Sequence, residues 1–161
     1  MSEFLDKARR TLRERGLSTL VLKALRYPFK PLFVPSALSA LQEGRRAESL
    51  EQLYEFVNDF NYRGITIASW QKKTEIVGLL SILEKSPPRR IIEIGTANGG
   101  TLFMLTQLAA PNATIVSVDL PGGRLGGASS SLRHAYPRWR TSLYRGFARD
   151  GQSVHVIRAD S

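Results

Sequence analysis

An α/β fold with a mostly parallel, doubly wound sheet follows from three observations on these 161 residues. Short β-branched runs, "IIEI" at 91–94, "TIVSV" at 114–118 and "SVHVIR" at 153–158, alternate with stretches of helical spacing. A small-residue turn from Gly95 to Gly100 joins the first run directly to a helix. The second and third runs each close on a carboxylate, Asp119 and Asp160. Strand, helix, strand, helix, strand demands crossover connections, and crossovers make neighbouring strands parallel.

Taken in order, residues 1–48 form a basic helical N-terminal extension, punctuated by Gly16, Pro28, Pro31, Pro35 and Gly44. Phe4, Leu5, Ala8 and Leu12 with Arg9, Arg10, Arg13 and Arg15 describe a short amphipathic helix. Its expected partner is the rest of the fold or a second subunit, with anionic lipid the lesser expectation. From residue 49 the pattern becomes regular. "SLEQLYEFVNDF" opens on a capping box, Ser49 with Gln52, and aligns Leu50, Leu53, Tyr54, Val57 and Phe60. "SWQKKTEIVGLLSILEK" repeats the form, with Ser69 as the expected N-cap and Ile76, Val77, Leu80 and Leu83 as the stripe. Pro87 and Pro88 end it. After the first strand, Leu102, Leu105 and Leu108 carry helical spacing. Between the second and third strands, Trp139, Leu143 and Phe147 do the same, and a core stripe is expected there. His155 alternates with Val154 and Val156 and is expected outside the core.

Composition excludes several classes of chemistry. There is no cysteine, so disulfides and thiolate metal sites are ruled out, and His134 and His155 are too few for a histidine cage. No metal is expected. The net charge of +9 is uneven: residues 1–46 carry ten Lys/Arg against four Asp/Glu, and residues 121–150 carry six Arg against Asp150. Such clusters suit anionic partners or merely solvated helix faces. A basic RNA- or membrane-binding module is therefore one alternative reading, though nucleic acid is not the expected partner. The early apolar stretch is broken by Lys23, Arg26, Lys30 and three prolines, so no spanning helix is expected and cytoplasm is the default.

In open parallel sheets, ligands bind beyond the carboxyl ends of the strands. Gly95, Thr96, Ala97 and Gly99 form a turn there that lets backbone N–H groups approach a ligand. Asp119 is placed for the two hydroxyls of a ribose, and Asp160 for the exocyclic amine of a base. Glu93 separates two nucleotide readings. A dinucleotide site wants Gly-x-Gly-x-x-Gly, which Gly95, Ala97 and Gly100 meet except in the middle. A carboxylate two residues before the first glycine would repel a pyrophosphate, which disfavours an NAD(P)-dependent oxidoreductase. A cofactor with a cationic sulfonium and an amino group would welcome it. A structural reading of Glu93, a buried acid paired with Arg89 or Arg90, also stays open.

At these residues the chain resembles the class I S-adenosylmethionine-dependent methyltransferases. "EIGTANGGTL" is similar to their acid-x-Gly-x-x-x-Gly motif, and "IVSVDLP" to their second, acid-terminated strand. "YPRWRTSLYRGFARDGQSVHVIRADS" resembles the branch with cephalosporin hydroxylase-like and rhamnosyl O-methyltransferase proteins. The resemblance covers residues 49–161 and implies a Rossmann-like methyltransferase core acting on a hydroxyl of a small molecule or sugar. It implies S-adenosyl-L-methionine held by Glu93, Gly95, Thr96, Ala97 and Gly99, with Asp119 at the ribose and Asp160 at the adenine. No catalytic residue carries over. The family's sheet order, 3-2-1-4-5-7-6, makes the first strand an exposed edge when only three strands are present. The expectation is a partial domain with at most weak cofactor binding, poor solubility and no turnover alone, or one completed by a partner chain or homo-oligomer.

Overall fold

The computed structural model describes residues 27–119, 138–149 and 151–158. A 3-10 turn at Tyr27–Phe33 leads into helix α1 (Val34–Leu41), which Pro35 enters in its first turn, where a missing N–H costs nothing. A second 3-10 turn (Gly44–Arg46) precedes α2 (Leu50–Asp59). Strands β1 (Asn61–Tyr62) and β2 (Ile65–Thr66) form a small antiparallel hairpin. Helix α3 (Lys73–Lys85), β3 (Arg90–Ile94), α4 (Gly100–Leu108), β4 (Thr114–Asp119), α5 (Arg138–Arg145) and β5 (Ser153–Arg158) follow.

The main sheet is parallel, in the order β3-β4-β5, as the alternation of strand and helix predicts. Its register aligns Glu93 with Ser117 and Asp119 with Arg158. The strand order steps the same way from β3 to β4 to β5, and the right-handed rule for such connections predicts α4 and α5 on one face. Ile115, Ser117 and Val154 are buried beneath that face together with Glu93. Ile92, Ile94 and Ile157 point to the other face and are 74%, 80% and 46% exposed. Among the described strands β3 lies at the edge, as its place in the order predicts.

The core is one cluster in which α1 contributes Val34, Ala37 and Leu41 to the same interior as Val57, Leu80, Phe103 and Tyr144. Phe103 and Phe147 meet edge to face, with centroids 5.3 Å apart. Phe103 is fully buried, so Phe103→Ala would open a cavity costing about 3–5 kcal/mol. The expected stripes hold: Leu53, Val57, Phe60, Ile76 and Leu80 are buried, and Val77 and Leu83 pack against them. Leu143 and Phe147 are buried with Trp139 packed against them, although Phe147 follows the end of α5. His155 is exposed, as its alternation with valines predicts.

Two local expectations need correction. Ser49 does cap α2, accepting from the Gln52 N–H at 3.2 Å, but Gln52 reaches back to the Glu48 N–H rather than to that of Ser49. Ser69 caps no helix, since α3 begins at Lys73 after Lys72, which makes no side-chain cap. A β-carbon on Gly100 would lie 2.2 Å from the Ile67 carbonyl oxygen. Residues 67–69 are thus seated on the Gly99–Gly100 corner, and the chain must leave in extended form before α3 can start. The hairpin at 61–66 was not expected; its tight turn uses Arg63 and Gly64 at φ 50° and 85°.

Candidate functional site

The carboxyl edge of β3 and β4 gathers the residues that the sequence singles out. Glu93 is 8% exposed, and its partner is neither Arg89 nor Arg90. The Ser117 hydroxyl, directly opposite on β4, donates to Glu93 Oε2 at 2.5 Å. The Thr96 and Ser117 hydroxyls are 2.6 Å apart, so a chain of buried oxygens runs from the turn to the acid. Glu93 Oε1 is buried with no hydrogen-bond partner among the described residues. Burial pushes the Glu93 carboxyl up to about 7; the Ser117 hydrogen bond opposes this, and the Asp119 charge adds to it.

The turn after β3 is built from left-handed residues. Gly95, Ala97 and Gly99 have φ of 90°, 46° and 86°. The Gly95 N–H donates to the Val118 carbonyl at 2.8 Å, extending the ladder by one step past β3. A β-carbon on Gly95 would meet nothing within 4 Å, so space lies open beside that backbone. Gly99 differs. A β-carbon there would stand 2.4 Å from Tyr144 Cε1, so its smallness accommodates a buried ring from α5 rather than a ligand. Ala97, a non-glycine residue in the left-handed region, carries strain of about 1–2 kcal/mol.

Helix α5 holds the turn from behind. The Tyr144 hydroxyl donates to the Ala97 carbonyl at 2.9 Å, and Arg140 Nη1 donates to Asn98 Oδ1 at 3.0 Å and to the Tyr144 oxygen at 2.9 Å. On the other flank, the hydroxyls of Ser69 and Thr101 lie 2.9 Å apart. Sequence reasoning missed Ser117, Tyr144, Arg140 and this pair. Only Ser117 left a signal, as the polar residue at an inward-facing position inside the apolar run "TIVSV".

Glu93, Gly95, Thr96, Ala97 and Gly99 are therefore contiguous in space, and Asp119 ends the neighbouring strand, half-buried. Asp160 and His134 lie outside the described residues, as do residues 1–26 of the N-terminal extension. Among the described residues no group of three or more His, Asp or Glu could hold a metal, and no helix is long and apolar enough to cross a membrane. A separate cavity of about 390 Å³, lined by Gly44, Arg45, Glu48, Gln107 and Arg149, contains none of the predicted site residues.

The set fits a ligand with a positive group and a vicinal diol. Glu93 Oε1 is a buried acceptor awaiting a donor, Gly95 leaves its backbone approachable, and Asp119 supplies a second acceptor one strand over. No protein-family model matches this chain, and no curated protein is significantly similar to it.

Proposed function

We propose that this carboxyl edge binds S-adenosyl-L-methionine, and that the fold belongs to a methyltransferase acting on a hydroxyl of a small molecule or sugar. The observation that carries this reading is Glu93: a buried acid at the foot of a left-handed turn, with one oxygen left without a partner. Glu93 would accept from the ammonium of the cofactor's methionine part, with the Gly95–Gly99 backbone against the same part. Asp119 would accept from the ribose hydroxyls. When bound, the cofactor supplies an electrophilic methyl carbon on a sulfonium sulfur. The protein's task is then to bind, orient and exclude water, which raises the rate by proximity. No described residue is assigned as the base that deprotonates the acceptor.

An NAD(P) dinucleotide is the competing ligand. It would place a pyrophosphate where Glu93 offers an acceptor and no donor. Calorimetric titration with S-adenosylmethionine, S-adenosylhomocysteine and NAD tests the reading. Heat from either of the first two and none from NAD is expected; the opposite order overturns it.

A further inference from the structure

Thr96, Ser117 and Glu93 are 2%, 0% and 8% exposed, and their oxygens form one unbranched chain. The Thr96–Ser117 contact can run in either direction. The chain therefore has two self-consistent states with the same heavy-atom positions. With Glu93 ionised, Thr96 donates to Ser117 and Ser117 donates to Oε2. With Glu93 neutral, its proton on Oε2 donates to Ser117, and Ser117 donates onward to Thr96.

What surrounds the acid favours the neutral state while the site is empty. Oε1 has no donor, and a buried charge half without partners is costly. Strand β4 contributes Ser117 and the negative Asp119. Helix α4 carries no ionisable residue. Arg140 and Tyr144 of α5 bond to Asn98, to Ala97 and to each other. The Lys72 and Lys73 cations near α3 pair with Glu75 and Glu55. Among the described residues no cation pairs with Glu93, and burial holds its carboxyl at about 7.

Resting on the cofactor reading above, we propose that the Thr96–Ser117–Glu93 chain is a proton-linked latch. A ligand ammonium arriving at Oε1 ionises Glu93, the carboxyl O–H bond breaks, its proton leaves to bulk water, and the two hydroxyls reverse. The acid then matches the charge of its ligand, and below about pH 7 it is mostly neutral without it. Affinity consequently rises with pH, by about tenfold between pH 6 and pH 8.

Calorimetry on the full chain tests this with S-adenosylmethionine and S-adenosylhomocysteine at pH 6, 7 and 8, in buffer pairs of differing ionisation enthalpy. Nearly one proton released per ligand at pH 6, falling towards none at pH 8, is the expected result. Glu93→Gln should abolish the release and flatten the pH dependence, which also separates the ligand's own titration from that of the protein. Infrared difference spectra of the unaltered chain, showing loss of a protonated carboxyl band on ligand addition, give a readout that does not depend on the variant folding. Binding at pH 6 without proton release, or an unchanged carboxyl band at that pH, overturns the latch and leaves the cofactor reading standing. Absence of binding by both ligands at every pH overturns both.

Discussion

The Tyr144 hydroxyl donates to the Ala97 carbonyl at 2.9 Å, across 47 residues of sequence, and its fully buried ring lies under Gly99. One side chain from α5 thus holds the strained corner of the β3–α4 turn and sets the size limit at its next glycine. Tyr144→Phe keeps the ring and removes the hydrogen bonds that its hydroxyl donates to the Ala97 carbonyl and accepts from Arg140. A loss of about 1–2 kcal/mol in urea unfolding is expected. An unchanged midpoint and slope would show that water replaces the hydroxyl at no cost.

Gly95 and Gly99 share a left-handed backbone but differ in surroundings, open space against the Tyr144 ring. Gly95→Ala should cost only the backbone strain, about 1–2 kcal/mol. Gly99→Ala adds overpacking and should cost about 2–4 kcal/mol. Thermal unfolding of the two variants side by side checks the order. Equal losses would mean that Tyr144 moves aside freely.

Ala97 holds a left-handed φ of 46° although it carries a β-carbon. Ala97→Gly relieves that strain while making the unfolded chain more flexible. A net stabilisation of about 0.5–1 kcal/mol is expected. A loss of stability in denaturant titration would show that the methyl group packs usefully.

The raised Glu93 carboxyl also makes stability depend on pH. An acid whose folded value is about 7, against 4.5 when exposed, keeps its proton in the folded chain where the unfolded chain has lost it. Its stabilising contribution is full below about pH 4.5 and is lost as pH rises through 7. The loss amounts to about 3 kcal/mol for this group alone. Glu93→Gln should remove that slope, and the variant should be the more stable protein at pH 8. Parallel pH–stability curves for the two proteins would contradict the burial argument.

The sequence made some of this site legible and hid the rest for identifiable reasons. Glu93 was visible because a carboxylate inside "IIEI" breaks the apolar run, and Asp119 because it ends one. The partner of Glu93 was not visible: pairing with Ser117 depends on the register between β3 and β4, which no local pattern encodes. Tyr144 and Arg140 read as ordinary residues of a basic helix, and only the packing of α5 behind the turn gives them a role. Ser69 looks like a cap by composition, yet close packing of residues 67–69 on Gly100 uses it elsewhere. The hairpin at 61–66, with two residues per strand, is too short to display a period.

On the function proposed above, S-adenosylmethionine would sit between Glu93 and Asp119. Equilibrium dialysis with labelled S-adenosylmethionine measures it directly on the parent chain, on Asp119→Ala and on Arg149→Ala, the last altering the separate cavity lined by Arg45 and Arg149. Loss of a charged acceptor to the ribose should weaken binding by about 1.5–3 kcal/mol in Asp119→Ala. Arg149→Ala should bind as the parent does. Undiminished binding by Asp119→Ala, or a loss confined to Arg149→Ala, would contradict the assignment.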